Sequence, residues 1–310
     1  MDNRIIVQRI LPSGRPAWVR PFHISLEGLE SATICRDEED YDAMVKHIFT
    51  CARRNDVLIV IYAVVSNHSH EVVLAAGKEE AEKFANDLKK VHSMWIRRKY
   101  GESGILRRVG ADISPIETIT HARNALAYVP RNAMDNGAKN IAGYKWTGYR
   151  AMFCEGKAPE GLIPVSSLTT RASEKLLHTG DDVSRMPWLL NVRGEIEPAS
   201  ACDWRYLEMI FNHDPSFFMR KIGDVNVTQM KYDLKAAGKY KMTDAEFLKT
   251  AEEYAMAWYK EHLFEMSHDT KARFLQYLGK KVRLTIPQVA RCMQMDRDVV
   301  SVLLERKRKE

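Results

Sequence analysis

Residues 57–75 read VLIVIYAVVSNHSHEVVLA, and this stretch decides the fold. Val57 to Val65 is an unbroken apolar run, bounded by Asn55-Asp56 on one side and Ser66-Asn67 on the other. A run this short, rich in β-branched residues and fenced by turn formers, predicts a buried central strand rather than a helix. Ser66-Asn67 supplies a turn, and HSHEVVLAA (68–76) alternates like a second strand. Side chains on a strand alternate with period two. His68 and His70 therefore share one face, and Ser69 and Glu71 point to the other.

Working outward, AWVRPFHISL (17–26) predicts a strand after a Pro/Gly turn. Residues 37–53 predict a helix, with acidic residues in the first turn where the macrodipole favours them. Residues 78–100 predict a long amphipathic helix with Ala81, Phe84, Leu88, Val91 and Trp95 on its buried face. An extended segment or strand pair is expected in 104–116, and a helix interrupted by Pro130 in 115–136. Together these predict an α+β domain: an antiparallel sheet with helices packed on one face. Residues 154–202, richer in Gly, Pro and Ser, read as a connecting segment. Residues 203–310 read as a helical C-terminal region.

The whole chain bounds the function classes. At 310 residues and 45% apolar composition, it is long enough for two domains with real cores. The net charge of +6 is compatible with nucleic acid without pointing to it. Five cysteines, none in a CxxC pair, argue against a zinc finger or a disulfide framework. No apolar run approaches the ~20 residues needed to span a bilayer, and the charged opening MDNRIIVQRI carries no signal pattern. The expected location is cytoplasmic, associated with the nucleoid.

Two constellations carry chemistry. His68 and His70, converging from one strand face, suit a divalent metal when neutral; the bland alternative is a pair of packed or surface histidines. RNALAYVPRNAM (123–134) places Tyr128 and Asn132 one helical turn apart. A phenol attacks a phosphodiester once its proton is removed, and Asn132 is placed to give the metal a third, oxygen ligand. The alternative is a core tyrosine beside a locally bonded asparagine.

Taken in order, four segments resemble the REP-associated tyrosine transposases, a branch of the single-tyrosine HUH (IS200-like) transposases. They are PFHISLEGLESATICRDEEDYDAM (21–44), VVSNHSHEVVL (64–74), AYVPRNAM (127–134) and GYKWTGYRAMF (143–153). The likeness covers residues 17–153 and continues faintly through 194–211. It implies a ferredoxin-like catalytic domain over residues 1–153, dependence on Mg or Mn, and single-stranded, hairpin-bearing DNA as substrate. It also implies metal binding by His68, His70 and Asn132, and Tyr128 as the nucleophile. The chain departs from the family pattern at Ser69, which replaces a hydrophobe, at Pro130 inside the nucleophile helix, and at AMDNGAKN (133–140).

Two further segments read as DNA contacts. Arg97, Arg98, Lys99, Arg107 and Arg108 form a basic cluster able to track phosphates; their alternative is a solvated face. LTIPQVARCMQMDRDVVSVLLERK (284–307) has the caps and apolar spacing of a helix-turn-helix over about 285–307. Its second helix would present Arg297, Asp298 and Ser301 to duplex DNA and set Arg306 on phosphates. A plain helical hairpin is the alternative. Three functions follow: a DNA nuclease and strand-transferase, a domesticated DNA-binding regulator with an idle site, or a metal-dependent hydrolase that does not use Tyr128. Each is compatible with a monomer or a homodimer.

Overall fold

A computed structural model describes residues 3–27, 33–103, 110–135, 140–154, 159–224, 244–281 and 284–305. The chain divides into two units, Met1–Met230 and Lys231–Glu310. The described residues up to 224, which span the expected boundaries at 153 and 203, fall in the first of these units.

The first unit is built on five antiparallel strands: β1 (Val7–Ile10), β2 (Pro16–Glu27), β3 (Leu58–Val64), β4 (His68–Ala75) and β5 (Gly110–Pro115). The 12-residue β2 pairs with β1 near its start and with β4 and β5 further on, and β3 closes the far side of β4. Helix α1 (Glu38–Arg54) links β2 to β3, and helix α2 (Lys78–Tyr100) links β4 to β5. The chain thus runs β-α-β-β-α-β, with strands in the order β5-β2-β4-β3. All eight residues of β4 are buried, which requires cover on both faces of the sheet. The expectation of helices on one face is corrected accordingly. Tyr62, paired with Glu71, packs on Phe49 of α1, whereas His70 packs on Tyr128 of helix α3 (Ile119–Asp135).

Local chemistry explains the helix ends. Asp37 caps α1 by accepting from the Asp40 amide, and Gly101 ends α2 in the left-handed conformation. The buried face of α2 is rotated from the expected one. Ala81, Phe84 and Leu88 are buried, but His92 and Ile96 go inward, where Val91 and Trp95 were expected. His92 can do so because the Ile34 carbonyl and His47 satisfy its ring nitrogens.

Residues 143–153 seal the edge strand β3. Val64 N–H donates to the Trp146 carbonyl, and the Thr147 and Tyr144 hydroxyls donate to the carbonyls of Tyr62 and Val64. A Cβ at Gly148 would lie 3.2 Å from the Tyr62 ring, a tight fit that favours glycine there.

Further helices among the described residues of this unit are α4 (Thr170–Leu177), α5 (Pro198–Ala201), α6 (Trp204–Ile210) and α7 (Pro215–Asp224). Asp203 N–H donates to the Ile59 carbonyl at the start of α6, Asp203 pairs with Arg9, and Tyr206 donates to the Ile5 carbonyl. These bonds tie 203–210 to β1, β3 and the segment before β1. Ile163–Pro164 and Leu189–Leu190 form a small separate sheet.

The second unit holds α8 (Asp244–Tyr259), α9 (His268–Lys281), α10 (Ile286–Met293) and α11 (Arg297–Glu305). Thr285 stands at the N-cap of α10, and Asp296 accepts from the amides of Asp298 and Val299 to start α11. Val289, Ala290, Met293, Met295 and Val300 are buried. Val299 is 48% exposed. No described helix is long and apolar enough to cross a membrane.

Candidate functional site

The register builds the site. Ser25 of β2 lies opposite His70, and Glu27 opposite His68. On the other edge of β2, Ser114 and Asp112 of β5 lie opposite His23 and Ser25. Period-two alternation therefore gathers His23, Ser25, His68, His70, Asp112 and Ser114 on one face. Glu71 and Ser69 fall on the other, opposite Ile24 and Leu26.

Helix α3 lies across that polar face. Thr118 caps it through the His121 amide. Pro130 sits within it, but the helix runs unbroken from Ile119 to Asp135, so Tyr128 and Asn132 share a face. Two arginines hold α3 in place: Arg123 Nε donates to the Ile210 carbonyl, and Arg131 to those of Ile222 and Gly223. These carbonyls are at the C-terminal ends of α6 and α7, where a cation is favoured.

The result is one connected cluster. His68 Nε2 donates to Asn132 Oδ1 at 2.7 Å, and Asn132 Nδ2 donates to Tyr128 Oη at 3.1 Å. His68 Nδ1 lies 2.8 Å from the side-chain oxygen of Asn67. The ring of His70 lies 5.0 Å from that of His68 and 5.1 Å from that of Tyr128. His23, which the sequence reading passed over, stacks on His70 at 5.2 Å and meets Tyr128 edge-on at 6.0 Å. The available signal was weak: one histidine in an aromatic strand, two residues from Ser25. Only the register makes it a neighbour of His70.

Tyr128, His68, His70 and Asn132 are each 2–3% exposed. Burial holds the His70 imidazole well below its usual range, with His68 and His23 adding to the effect. Burial, with His121 adding, lowers His23 to about 3. Both rings are neutral, the state a metal ligand requires. Their His70 Nδ1 and His23 Nε2 atoms are buried without hydrogen-bond partners. Two imidazole nitrogens without hydrogen-bond partners are donors of a kind a divalent ion accepts. If an ion took the place of the Nε2–H of His68, the Asn67 oxygen would accept from Nδ1 and hold the ring in that other tautomer. Among the described residues, no three His, Cys, Asp or Glu side chains are arranged to hold a metal. A three-donor site here has to draw on Asn132.

The other candidates lie elsewhere. Lys99 is ion-paired with Asp37, Glu39 and Asp40. Burial penalises its charge, but these carboxylates more than offset the penalty and hold its pKa well above the ordinary lysine value. In the structure Lys99 clamps the end of α2 to the acidic start of α1. Trp95 and Tyr100 donate to the same Asp40. Arg97 and Arg98 are exposed; Arg107 and Arg108 lie outside the described residues. In the second unit, Arg297 and Asp298 are exposed at the start of α11, Ser301 is half-buried, and Arg306 lies outside the described residues.

No protein-family model, no curated protein and no solved structure matches the chain.

Proposed function

We propose that this chain is a metal-dependent, single-stranded DNA endonuclease and strand-transferase of the REP-associated tyrosine transposase type. The observation that carries the reading is the single buried cluster joining His68, His70, Asn132 and Tyr128. The β-α-β-β-α-β order and strand arrangement support it, being those of a ferredoxin-like domain.

His68, His70 and Asn132 would hold the ion, Mg or Mn. When bound, it supplies a Lewis acid for a non-bridging oxygen of the scissile phosphate. Tyr128 Oη attacks phosphorus in line. The new bond is a 5′-phosphotyrosine ester, the broken bond is P–O3′, and the phenol proton ends on the released 3′-hydroxyl. Attack by another 3′-hydroxyl reverses the step and transfers the strand. Asn132 orients the phenol by donating to its oxygen, and the neutral rings of His23 and His70 fix its edge. The proposed partner at α10 and α11 is duplex DNA, read in a helix-turn-helix manner by Arg297 and Asp298, which are exposed at the start of α11.

The test uses full-length protein, hairpin-bearing single-stranded DNA and Mn. Wild type should give a covalent adduct on a denaturing gel, and Tyr128→Phe none. An adduct of equal yield from Tyr128→Phe would sink the assignment. The near-complete burial of Tyr128 favours one second reading, a DNA-binding regulator with an idle site. That reading is chosen if wild type binds DNA site-selectively yet forms no adduct.

A further inference from the structure

A cavity of about 290 Å³ opens between α1, α2 and the turn after α4, lined by His47, Trp95 and His178 and by Arg54, Lys90 and Arg98. We infer that it binds one nucleotide, with the base inward against His47 and the phosphate at Lys90 and Arg98.

The inward end is a hydrogen-bond acceptor whose identity follows from its neighbours. His92 Nε2 lies 2.9 Å from the Ile34 carbonyl oxygen, so Nε2 carries the hydrogen. Burial holds His92 neutral, at about 4, so its Nδ1 is bare. His47 Nδ1 lies 3.2 Å from that bare nitrogen and must be the donor. His47 is also neutral and buried, so its Nε2 is left as an acceptor. Among the described residues no donor reaches it. Every nucleobase offers an N–H on its pairing edge, which is what such an acceptor selects.

The wall is flat. The rings of Trp95 and His178 lie 4.8 Å apart, and both line the cavity. His178 is held there by a left-handed backbone, with φ at 54°. Aromatic faces stack on a base regardless of its identity.

The mouth is cationic. Arg54 is taken by Asp181 at 2.8 Å, and Asp87 accepts from Asn55 at 2.9 Å. Lys90 and Arg98 are exposed and, among the described residues, make no ion pair. A phosphate is the anion they suit. The volume lies at the small end of ligand pockets and has no room for a base pair. The nucleotide is therefore unpaired, either free or part of a single strand.

This inference does not depend on the role of Tyr128, so the test uses the Tyr128→Phe protein, in which strand cleavage cannot interfere. Calorimetry should show binding of deoxynucleoside 5′-monophosphates. Lys90→Ala with Arg98→Ala, and separately His178→Ala, should each weaken it roughly tenfold, while the remote Lys83→Ala should not. Circular dichroism checks that each variant folds. A single strand of about ten nucleotides that displaces the mononucleotide identifies a strand as the source; one that does not identifies the free nucleotide. No binding, binding unmoved by the variants, or equal affinity for inorganic phosphate would overturn the inference.

Discussion

Replacing Glu71 with Gln should make the protein more stable in alkali while leaving it nearly unchanged in mild acid. Glu71 is fully buried on the sheet face opposite the histidines, facing Ile24 and Tyr62. Neither carboxyl oxygen has a hydrogen-bond partner. Burial raises its pKa from 4.5 to about 8; Ser69, which is close but not in hydrogen-bond geometry, opposes this only slightly. Between those two values the native chain holds a proton that the unfolded chain has released. Stability therefore falls as pH rises from about 4.5 to about 8, and levels off beyond. At about 1.4 kcal/mol per unit, the whole shift amounts to about 5 kcal/mol. Gln mimics the protonated acid and cannot ionise. The Glu71→Gln protein should match wild type near pH 4 and exceed it by several kcal/mol, up to that limit, near pH 9. Guanidinium denaturation followed by tryptophan fluorescence measures the difference at each pH, since five of the six tryptophans lie in the first unit. A constant offset between the two proteins from pH 5 to 9 would refute the reasoning, because it would mean that Glu71 does not change charge on unfolding.

Three other outcomes are expected. Asp40 is buried and accepts from Trp95, Tyr100, Lys99 and the Arg36 amide. Asp40→Asn should cost about 3–5 kcal/mol in the same assay. Burial raises the Asp40 pKa, but the hydrogen bonds win and leave it at about 2. The stability it contributes is full above 3.8 and is lost as pH falls through about 2. Gln294 adopts a left-handed backbone (φ 53°) after α10, so Gln294→Gly should stabilise the second unit by about 0.5–1 kcal/mol, read by hydrogen exchange in α10 and α11. Tyr128 meets the histidines of its own chain, so mixing Tyr128→Phe with His70→Ala protein should restore no adduct. Restored adduct would show that the tyrosine acts across subunits.

The sequence carried the elements well and their mutual placement poorly. Val57–Val65, the acidic start of α1 and the amphipathic run from Lys78 to Tyr100 each matched an observed element, because period and caps are local signals. Which face α3 covers is set by Arg123 and Arg131 gripping the carbonyl ends of α6 and α7, residues 87 or more positions away. Nothing local to either segment encodes that. The histidine pair was legible because strand alternation is local, and Tyr128 with Asn132 because helical spacing is. His23 was not, since only the β2–β4 register makes it a neighbour of His70. Lys99 misled for the same reason: a basic helix end looks solvent-facing until the acidic start of α1 is set against it.

The Asn132 carboxamide also gives the cluster a sense of direction. Its oxygen faces His68 and its nitrogen faces Tyr128, so hydrogen bonding runs from imidazole to amide to phenol oxygen. A carboxylate in that place would reverse the second link, because it can only accept, and would draw the phenol O–H onto the helix. With the amide, that hydrogen is not spent on Asn132. The position thus behaves as a one-way valve for polarity, and the two isosteric side chains, Asn and Asp, are opposites there.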